Sequence, residues 1–232
     1  MQNQDSSKES SKSSDFSVGK SSEESSTKEN HYLNTAWTLW HHSSQSTDWS
    51  LNGYTKVATF YTIEQFWEIY NALPTITYDM WFLMRGNTPA MNGRPAYQQV
   101  VPLWEDERNL QGGSFKFKIH TSEVDNIWLT LSLFLISESM CKPEDTIYLS
   151  GLSCSSKRND YCTISVWNLD ATRNDYSSFP TNIPGVSFSK SIFEPHIKRK
   201  TGNNDRFTKH SETKTGLNTP RTWRKTASVV RS

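Results

Sequence analysis

The chain has 232 residues, a formal net charge of +1 and a mean hydropathy of −0.70. This length allows one domain of about 170 to 200 residues with tails. The longest apolar-rich run, Ile127–Ile136, is too short to span a bilayer, and no apolar stretch of a secretory signal opens the chain, so we expect a soluble, intracellular protein.

Charge divides the chain into three parts. Residues 1–30 contain eleven serines and sum to −2, residues 31–195 sum to −5, and residues 196–232 sum to +8. The first part has too few apolar residues to offset the entropy of ordering, which predicts a disordered serine-rich tail. We predict one domain over residues 31–232, in which residues 196–232 are a basic, partly flexible segment. That segment is either an electrostatic handle for an anion or a solvated tail.

Metal and disulfide chemistry are not indicated. Cys141, Cys154 and Cys162 are odd in number and lack the spacing of zinc ligands. His41 and His42 are adjacent, and adjacent strand residues point to opposite faces of a sheet. We therefore expect neither a metal nor a cofactor.

The predicted elements are short strands and two helices. Alternating runs rich in β-branched and aromatic residues predict strands at Trp37–His42, Thr55–Tyr61, Phe115–His120, Thr146–Ser153 and Tyr161–Trp167. One helix begins with a capping box at Thr62–Gln65 and runs to about Leu73; a second begins at Ser122 and runs to about Ser139. The pattern predicts an α+β fold with a largely meandering antiparallel sheet.

Both helices carry more apolar surface than one sheet can cover. The first has two stripes, Phe66, Ile69 and Leu73 beside Ile63, Trp67 and Tyr70. The second has a core stripe of Val124, Ile127, Trp128, Leu131 and Leu135, and an additional stripe of Leu129, Leu133 and Ile136. The spare stripes predict a groove for an amphipathic partner helix with Trp67 as its anchor, unless a loop or the tail covers them.

Nine tryptophans in a hydrophilic chain are more than core packing requires. Trp49 and Trp104 lie in polar loops, and Trp104 precedes an acidic run. Trp167 lies on the less apolar side of its strand, shortly after Lys157 and Arg158. Loop tryptophans beside carboxylates and basic residues suit a flat ligand that carries phosphates, such as a nucleotide.

Several strings together resemble the eukaryotic translation initiation factor 4E family, the messenger RNA cap-binding proteins. They are His31–Leu33, Trp37–Trp40, Thr62–Trp67, Tyr70–Asn71, Trp104–Asn109, Gly112–Gly113, Trp128–Leu129 with Leu133 and Glu138, and Ile164–Trp167. The match covers about residues 31–170, with a weaker match through Thr213–Gly216. The resemblance implies a curved antiparallel sheet with helices on its convex face and the cap pocket on its concave face.

The resemblance also assigns cap-binding residues. Trp49 and Trp104 would sandwich the 7-methylguanine ring, and Glu105 would accept hydrogen bonds from its N1–H and N2 amino groups. Trp167 would contact the N7 methyl group. Arg158, with Lys157 beside it, would hold the phosphate bridge, and the backbone around Thr213–Gly216 would close over the next nucleotide.

A second surface is implied on the back of the sheet. The family's scaffold-binding residues fall on the spare stripes described above, at His31, Ile63, Trp67, Leu129 and Leu133. The partner would be capped mRNA on one face and, on the other, an initiation scaffold of the factor 4G type or a repressor carrying a YxxxxLΦ helix, where Φ is hydrophobic. The implied protein is a translation initiation factor without enzymatic activity, monomeric outside its complex and located in the cytoplasm, with the nucleus as a second location.

Departures from the family pattern keep alternatives open. Asp160, Thr163 and Ser114 stand at usually basic positions, where Lys116, Lys118 or the basic tail would have to compensate. Tyr32 replaces a proline and Thr130 a glutamate of the back face, which keeps open a repressor or storage paralogue that binds the cap without the scaffold. About fifteen extra residues between Tyr78 and Trp104, with Pro89, Gly93 and Pro95, predict an inserted loop at the pocket rim.

Two further departures concern the second half of the chain. Pro180 and Pro184 predict an irregular segment where the family has a third helix near Tyr176–Ser189. Leu217 replaces a phosphorylatable serine. An enzyme that processes caps is a remote alternative, because no glycine-rich phosphate loop or nucleophile and base accompany Glu105–Glu107. The type of cap, monomethylated, trimethylated or further methylated, stays open.

Overall fold

The computed structural model describes residues 29–90, 96–156 and 160–197. Within these ranges lie seven strands: β1 (Tyr32–His42), β2 (Thr55–Thr62), β3 (Met80–Arg85), β4 (Gly113–His120), β5 (Leu149–Ser156), β6 (Tyr161–Asn168) and β7 (Ile192–Pro195). Three α-helices accompany them: α1 (Ile63–Ala72), α2 (Glu107–Leu110) and α3 (Thr121–Ile136). All of the described residues fall within one compact unit.

The strands form one curved, unclosed sheet in the order β2-β1-β3-β5-β6-β4-β7, and every neighbouring pair is antiparallel. The predicted α+β class is confirmed. The predicted meander is wrong, because only β1 with β2 and β5 with β6 are neighbours both in sequence and in the described sheet. The other consecutive strands are separated by an α-helix or, between β6 and β7, by an irregular segment with 3-10 turns, and they pair with strands more distant in sequence.

Two strands were not predicted, and one prediction shifts. β3 and β7 each complete the sheet through pairing partners distant in sequence, β1 and β5 for β3 and β4 for β7. Thr146–Tyr148, predicted as the start of a strand, forms a 3-10 turn that precedes β5. The segment near Tyr176–Ser189 is irregular apart from short 3-10 turns, as predicted from its prolines.

α1 begins where its sequence predicts. The Thr62 hydroxyl accepts a hydrogen bond from the Gln65 backbone N–H at 3.2 Å, which satisfies one of the free donors of the first turn. The Gln65 side chain accepts from the Tyr61 backbone N–H, one residue earlier than a standard capping box. Leu73 ends the helix in an extended conformation before Pro74.

α3 begins and ends earlier than predicted. Its N-cap is His120, whose ring accepts from the Ser122 backbone N–H, so the helix starts at Thr121 and not at Ser122. The core stripe is confirmed, since Val124, Ile127, Trp128, Leu131 and Leu135 are all at most 2% exposed. Ile136, predicted on the spare stripe, is instead buried at 1% exposure at the end of the helix.

The sheet separates two apolar clusters. The larger lies between the sheet and helices α1 and α3, and it includes Trp37, Phe66, Trp128, Ile164 and the free thiols Cys154 and Cys162. The smaller lies on the other face and consists of Trp40, Tyr54, Phe82, Met84, Val100 and Trp167. This second face is the concave one and carries the candidate site.

Several predictions concern residues that lie outside the described ranges. They are the serine-rich residues 1–28, Gly93 and Pro95 of the inserted loop, Lys157, Arg158, and residues 198–232, which include Thr213–Gly216 and Leu217. Within the described ranges, no helix has both the length and the apolar character needed to cross a membrane.

Candidate functional site

A row of aromatic rings lines the concave face. Trp49 stacks on His42, His42 contacts Tyr54, Tyr54 meets Phe82 edge to face, Phe82 meets Trp167, and Trp167 contacts His196. The centroid separations run from 4.5 to 6.3 Å. This row, which we call the aromatic row, links two of the sequence-predicted site residues, Trp49 and Trp167, through rings that the sequence analysis did not assign to the site.

Trp49 lies in the loop between β1 and β2 and is 54% exposed. Asp48 shapes the loop just before it, because its carboxylate accepts from the Ser50 backbone N–H at 2.9 Å. Hydrogen bonds from Ser50, first from its side chain and then from its backbone, lower the pKa of Asp48. Gly53 closes the loop, and a Cβ atom there would lie 1.9 Å from the Asp48 carbonyl oxygen, so only glycine fits.

Trp104 is presented by a second loop and is 52% exposed. Buried Asn109 fixes the backbone of that loop, because its side-chain amide donates to the carbonyl oxygens of Val101 and Leu103 at 2.8 and 2.7 Å. Asp106 then caps α2 by accepting from the Arg108 backbone N–H. Asn109 ends the Trp104–Asn109 string noted in the sequence. Its hydrogen bonds to the loop that carries Trp104 are visible only in the structure.

Glu105 is exposed next to Trp104, and its carboxylate forms no hydrogen bond or ion pair within the described residues. Its charge nevertheless acts on two residues of the aromatic row. Burial raises the pKa of Tyr54 to about 12, and Glu105 adds to the rise. Glu105 also opposes the drop in the pKa of His196. The carboxylate therefore lies close enough to Tyr54 and His196 for its charge to act on both.

Trp167 forms part of the floor of this face. It is only 8% exposed, and its indole N–H donates to the Ser153 hydroxyl at 2.9 Å. On β6, the side chain of Trp167 packs in the smaller cluster, whereas those of Cys162, Ile164 and Val166 pack in the larger cluster on the other face of the sheet, as the alternation predicts. The imidazole of His196 lies over Trp167 at 4.9 Å and donates from Nδ1 to the Asn109 carbonyl oxygen at 2.7 Å.

Burial is the main cause that lowers the pKa of His196. The Asn109 carbonyl opposes this shift, Lys116 adds to it, and Glu194 and Glu105 oppose it. His196 is therefore neutral at neutral pH. The sequence offers no signal for this position, because it follows a strand that no pattern predicted.

The basic residues expected to compensate for missing phosphate contacts are engaged elsewhere. The Lys116 ammonium lies 2.5 Å from a Glu194 carboxylate oxygen, and that of Lys118 lies 4.1 Å from the centre of the Tyr161 ring. Ser114 is buried. Lys157 and Arg158, the predicted phosphate ligands, lie outside the described residues.

The predicted back surface is partly exposed. Trp67 is 36% exposed, while Ile63, Leu129 and Leu133 are half-buried against the larger core cluster. His31 lies at the edge, where Nδ1 is 2.7 Å from a Glu64 carboxylate oxygen. The structure thus brings the spare stripes of α1 and α3 to one face, opposite the aromatic row.

Comparison with known proteins defines the class. The family model described as eukaryotic initiation factor 4E matches residues 32–216. This match spans most of the chain and every described residue named above except His31. The chain belongs to the eukaryotic initiation factor 4E family.

Individual relatives agree with this assignment. Eukaryotic translation initiation factor 4E of Eremothecium gossypii is 32% identical over 143 residues, which cover 59% of this chain and 62% of the relative. The Saccharomyces cerevisiae protein of the same name is 30% identical over 134 residues, covering 55% of this chain and 57% of that one. The human protein of that name is 25% identical over 150 residues, or 62% of this chain and 64% of the relative. The matched region thus spans less than two thirds of each of these relatives.

Solved structures share the fold. A complex of Caenorhabditis elegans eIF4E-3 with the 4E-binding protein Mextli and cap analog has a TM-score of 0.52 at 25% identity, covering 62% of this chain and 78% of that chain. Ascaris suum eIF4E-3 with m2,2,7G cap has a TM-score of 0.59 at 23% identity, covering 77% of this chain and 96% of that chain.

Proposed function

We propose that the protein binds the 7-methylguanosine 5' cap of mRNA on the concave face. One observation carries the proposal: a face lined by aromatic rings is accompanied by two half-exposed loop tryptophans, Trp49 and Trp104, and by the exposed Glu105 carboxylate, for which the described residues show no hydrogen bond or ion pair. Family membership supports it, as does the cap analog in the complex of the Caenorhabditis elegans relative.

The chemistry of this site suits a methylated guanine. Methylation at N7 makes the base cationic, and stacking on indole then gains about 0.5 to 2 kcal/mol from the cation–π interaction. Stacking itself contributes about 1 to 3 kcal/mol for each base. Glu105 would accept from the N1–H and N2 amino groups of guanine, whereas adenine presents an acceptor at N1. Trp167, as part of the floor, would lie toward the N7 methyl group.

The phosphates need a separate source of positive charge. Because Lys116 and Lys118 already have partners, we assign the phosphate bridge to Arg158 and Lys157. The segment from residue 198 to residue 232, with a net charge of +8, is suited to the phosphates of the following nucleotides. Both assignments come from the sequence and the family resemblance.

On the back surface we propose a helical partner with a YxxxxLΦ motif, either an initiation scaffold or a repressor. Trp67 is the expected anchor, because it is the most exposed tryptophan on that face and packs edge to face on Tyr70 at 5.8 Å. Ile63, Leu129 and Leu133 would line the groove, with His31 at its edge. The complex of the Caenorhabditis elegans relative with Mextli supports a protein partner.

The proposed role is therefore to bring capped mRNA to the translation machinery in the cytoplasm by binding alone, without catalysis. A repressor or storage paralogue is the second candidate. Two positions favour it: Tyr32, 75% exposed, replaces a proline at the edge of the back surface, and half-buried Thr130 replaces a glutamate there. Binding of a scaffold peptide with micromolar or better affinity would exclude this second candidate.

Tryptophan fluorescence titrated with 7-methyl-GTP, and with GTP as the control, tests the main proposal. We expect strong quenching by the methylated nucleotide and at least about tenfold weaker binding of GTP, because the cationic contribution is lost. A titration series in salt reports the phosphate contacts, since binding that depends on Lys and Arg weakens as salt rises. Equal affinity for both nucleotides, or no binding, would contradict cap recognition.

A further inference from the structure

We propose that His42 positions Trp49 for ligand stacking by covering one face of its indole and fixing the loop that carries it. The inference rests on the proposed cap binding and deepens it. It assigns a role to a residue that does not itself reach the ligand. His42 is fully buried, whereas Trp49 is 54% exposed.

The first observation is the geometry of the two rings. Their centroids are 4.5 Å apart and their planes differ by 12°, which is a parallel stack. Only one face of an indole can be occupied in this way by His42, so the exposed area of Trp49 includes the other face. A stacked ring beneath Trp49 restricts its side-chain rotation and holds this free face toward the concave side of the sheet.

The second observation is a hydrogen bond to the loop. His42 Nε2 lies 2.9 Å from the carbonyl oxygen of Asp48, the residue before Trp49. A carbonyl oxygen only accepts, so Nε2 carries a proton and donates it to Asp48. The same Asp48 carbonyl is the atom against which Gly53 packs. One histidine thus fixes both the backbone beside Trp49 and the ring of Trp49.

The third observation concerns the cost of placing histidine here. Nδ1 is buried and has no hydrogen-bond partner within the described residues. A phenylalanine would keep the stack without burying an unpaired nitrogen, so the hydrogen bond to Asp48 is what histidine adds. Tyr54 contacts the same imidazole at 4.6 Å and meets Phe82 edge to face, which ties His42 to the sheet. The support beneath Trp49 is therefore rigid.

Three variants separate the stack from the hydrogen bond. We expect His42→Ala to weaken 7-methyl-GTP binding by about tenfold, near the upper end of what one aromatic pair contributes. His42→Phe, which restores the stack, should recover most of that loss. His41→Ala is the matched control: its ring contacts Trp81 and Asp79 instead of Trp49, so binding should be unchanged. Thermal unfolding confirms that each variant is folded.

A double-mutant cycle asks whether His42 acts through Trp49. In a Trp49→Leu background, His42→Ala should have no further effect on binding, because the ring that it positions is gone. An equal loss in both backgrounds would overturn the proposal and make His42 a general structural residue. Failure of His42→Phe to recover binding would likewise overturn the role of the stack.

A readout without ligand separates this inference from the proposed function. The indole N–H signal of Trp49 in a ¹H–¹⁵N spectrum, assigned by its loss in Trp49→Phe, should shift and broaden in His42→Ala and stay sharp in His42→Phe. An unchanged signal in His42→Ala would overturn the positioning role. A shifted signal together with no binding of 7-methyl-GTP by the wild-type protein would support the His42–Trp49 contact and overturn cap binding alone.

Discussion

In the proposed function, Glu105 is the residue on which base recognition would depend most directly. Its carboxylate is exposed, lies near Tyr54 and His196, and has no partner within the described chain, so both oxygens are available to a ligand. Two donors of guanine in line with such a group form charge-assisted hydrogen bonds, which are stronger than neutral ones. The residue therefore offers a test of which base the site reads.

Glu105→Gln should weaken 7-methyl-GTP binding by about 100-fold, because a bond to a charged group is worth roughly 1.5 to 3 kcal/mol and the new amide presents a donor to a donor. Glu107→Gln is the matched control, since Glu107 lies two residues on, in the first turn of α2. Isothermal titration calorimetry measures both variants. A loss of similar size in both would mean that general negative charge, and not this contact, determines affinity.

The sequence predicts those candidate site residues whose exposure follows from the residues next to them in the chain. Trp49, Trp104 and Glu105 lie in loops, where an exposed aromatic ring or carboxylate is visible in the sequence. His42, Asn109 and His196 were not assigned to the site, because each acts through atoms that are distant in sequence or through a ring stack. His196, for example, donates to a carbonyl 87 positions away.

At the scale of the elements, the long periodic helices were predictable and the sheet order was not. The core stripe of α3 follows from a repeat that any helix must obey. β3 and β7 are paired by contacts between distant segments, and their short runs carry little pattern of their own. α3 ends at Ile136 with Ser137 as its C-cap, and the chain leaves helical geometry at Glu138, which has a positive φ.

Buried Arg85 at the end of β3 joins several elements. Its guanidinium donates to the Thr35 hydroxyl, to the Glu138 carboxylate and to the carbonyl oxygens of Thr146 and Leu149. It also lies 4.8 Å from the ring centres of both Trp37 and Tyr97. A planar group with five donors is required to make these contacts together.

Arg85→Lys should lower the free energy of unfolding by about 3 kcal/mol, since an ammonium keeps the buried charge but leaves several acceptors unpaired. Arg173→Lys provides the comparison, because Arg173 forms surface ion pairs with Asp145 and Asp170 and its substitution should lower the free energy of unfolding much less than that of Arg85. Urea unfolding followed by circular dichroism gives both values. Equal, small losses would mean that water replaces the contacts of Arg85.

The start of α1 carries a pH-dependent contact between His31 and Glu64. A hydrogen bond from His31 is the largest cause that lowers the pKa of Glu64 from 4.5 to about 2. The same bond, followed by the charge of Glu64, raises the pKa of His31 above 6.5. The lowered pKa of Glu64 stabilises the fold above pH 4.5, and this stabilisation is lost as the pH falls toward 2. The raised pKa of His31 stabilises the fold fully below pH 6.5, and this stabilisation is lost as the pH rises beyond that raised pKa.

Glu64→Gln should therefore reduce the melting temperature more at about pH 5.5, where both groups are charged, than at a pH above the raised pKa of His31, where the ring has lost its charge. Glu68→Gln, on the same helix, is the control and should show no such difference. Differential scanning calorimetry at both pH values measures the effect. A loss that is independent of pH would show that the hydrogen bond matters and the charge of His31 does not.

In the whole molecule, the sheet separates two surfaces that the proposals assign to different partners. Each surface has its own apolar cluster: the larger one lies against α1 and α3, and the smaller one shares Tyr54, Phe82 and Trp167 with the aromatic row. Trp104 is 52% and Trp67 36% exposed, and neither belongs to the buried members of a core cluster, so thermal unfolding of each Ala variant serves as the folding control. The two tryptophans can thus be removed without confusing loss of binding with loss of folding.

Trp104→Ala should abolish retention on a 7-methyl-GTP resin and leave binding of a YxxxxLΦ peptide intact, because the sandwich loses one ring while the groove of α1 and α3 is unchanged. Trp67→Ala should do the reverse, since the anchor of the groove is on the opposite face of the sheet. Resin retention and fluorescence anisotropy of the labelled peptide measure the two activities on the same samples. If Trp67→Ala reduced cap retention as much as Trp104→Ala, Trp67 would be part of the core that supports the concave face, and the division of the molecule into two independent surfaces would be wrong.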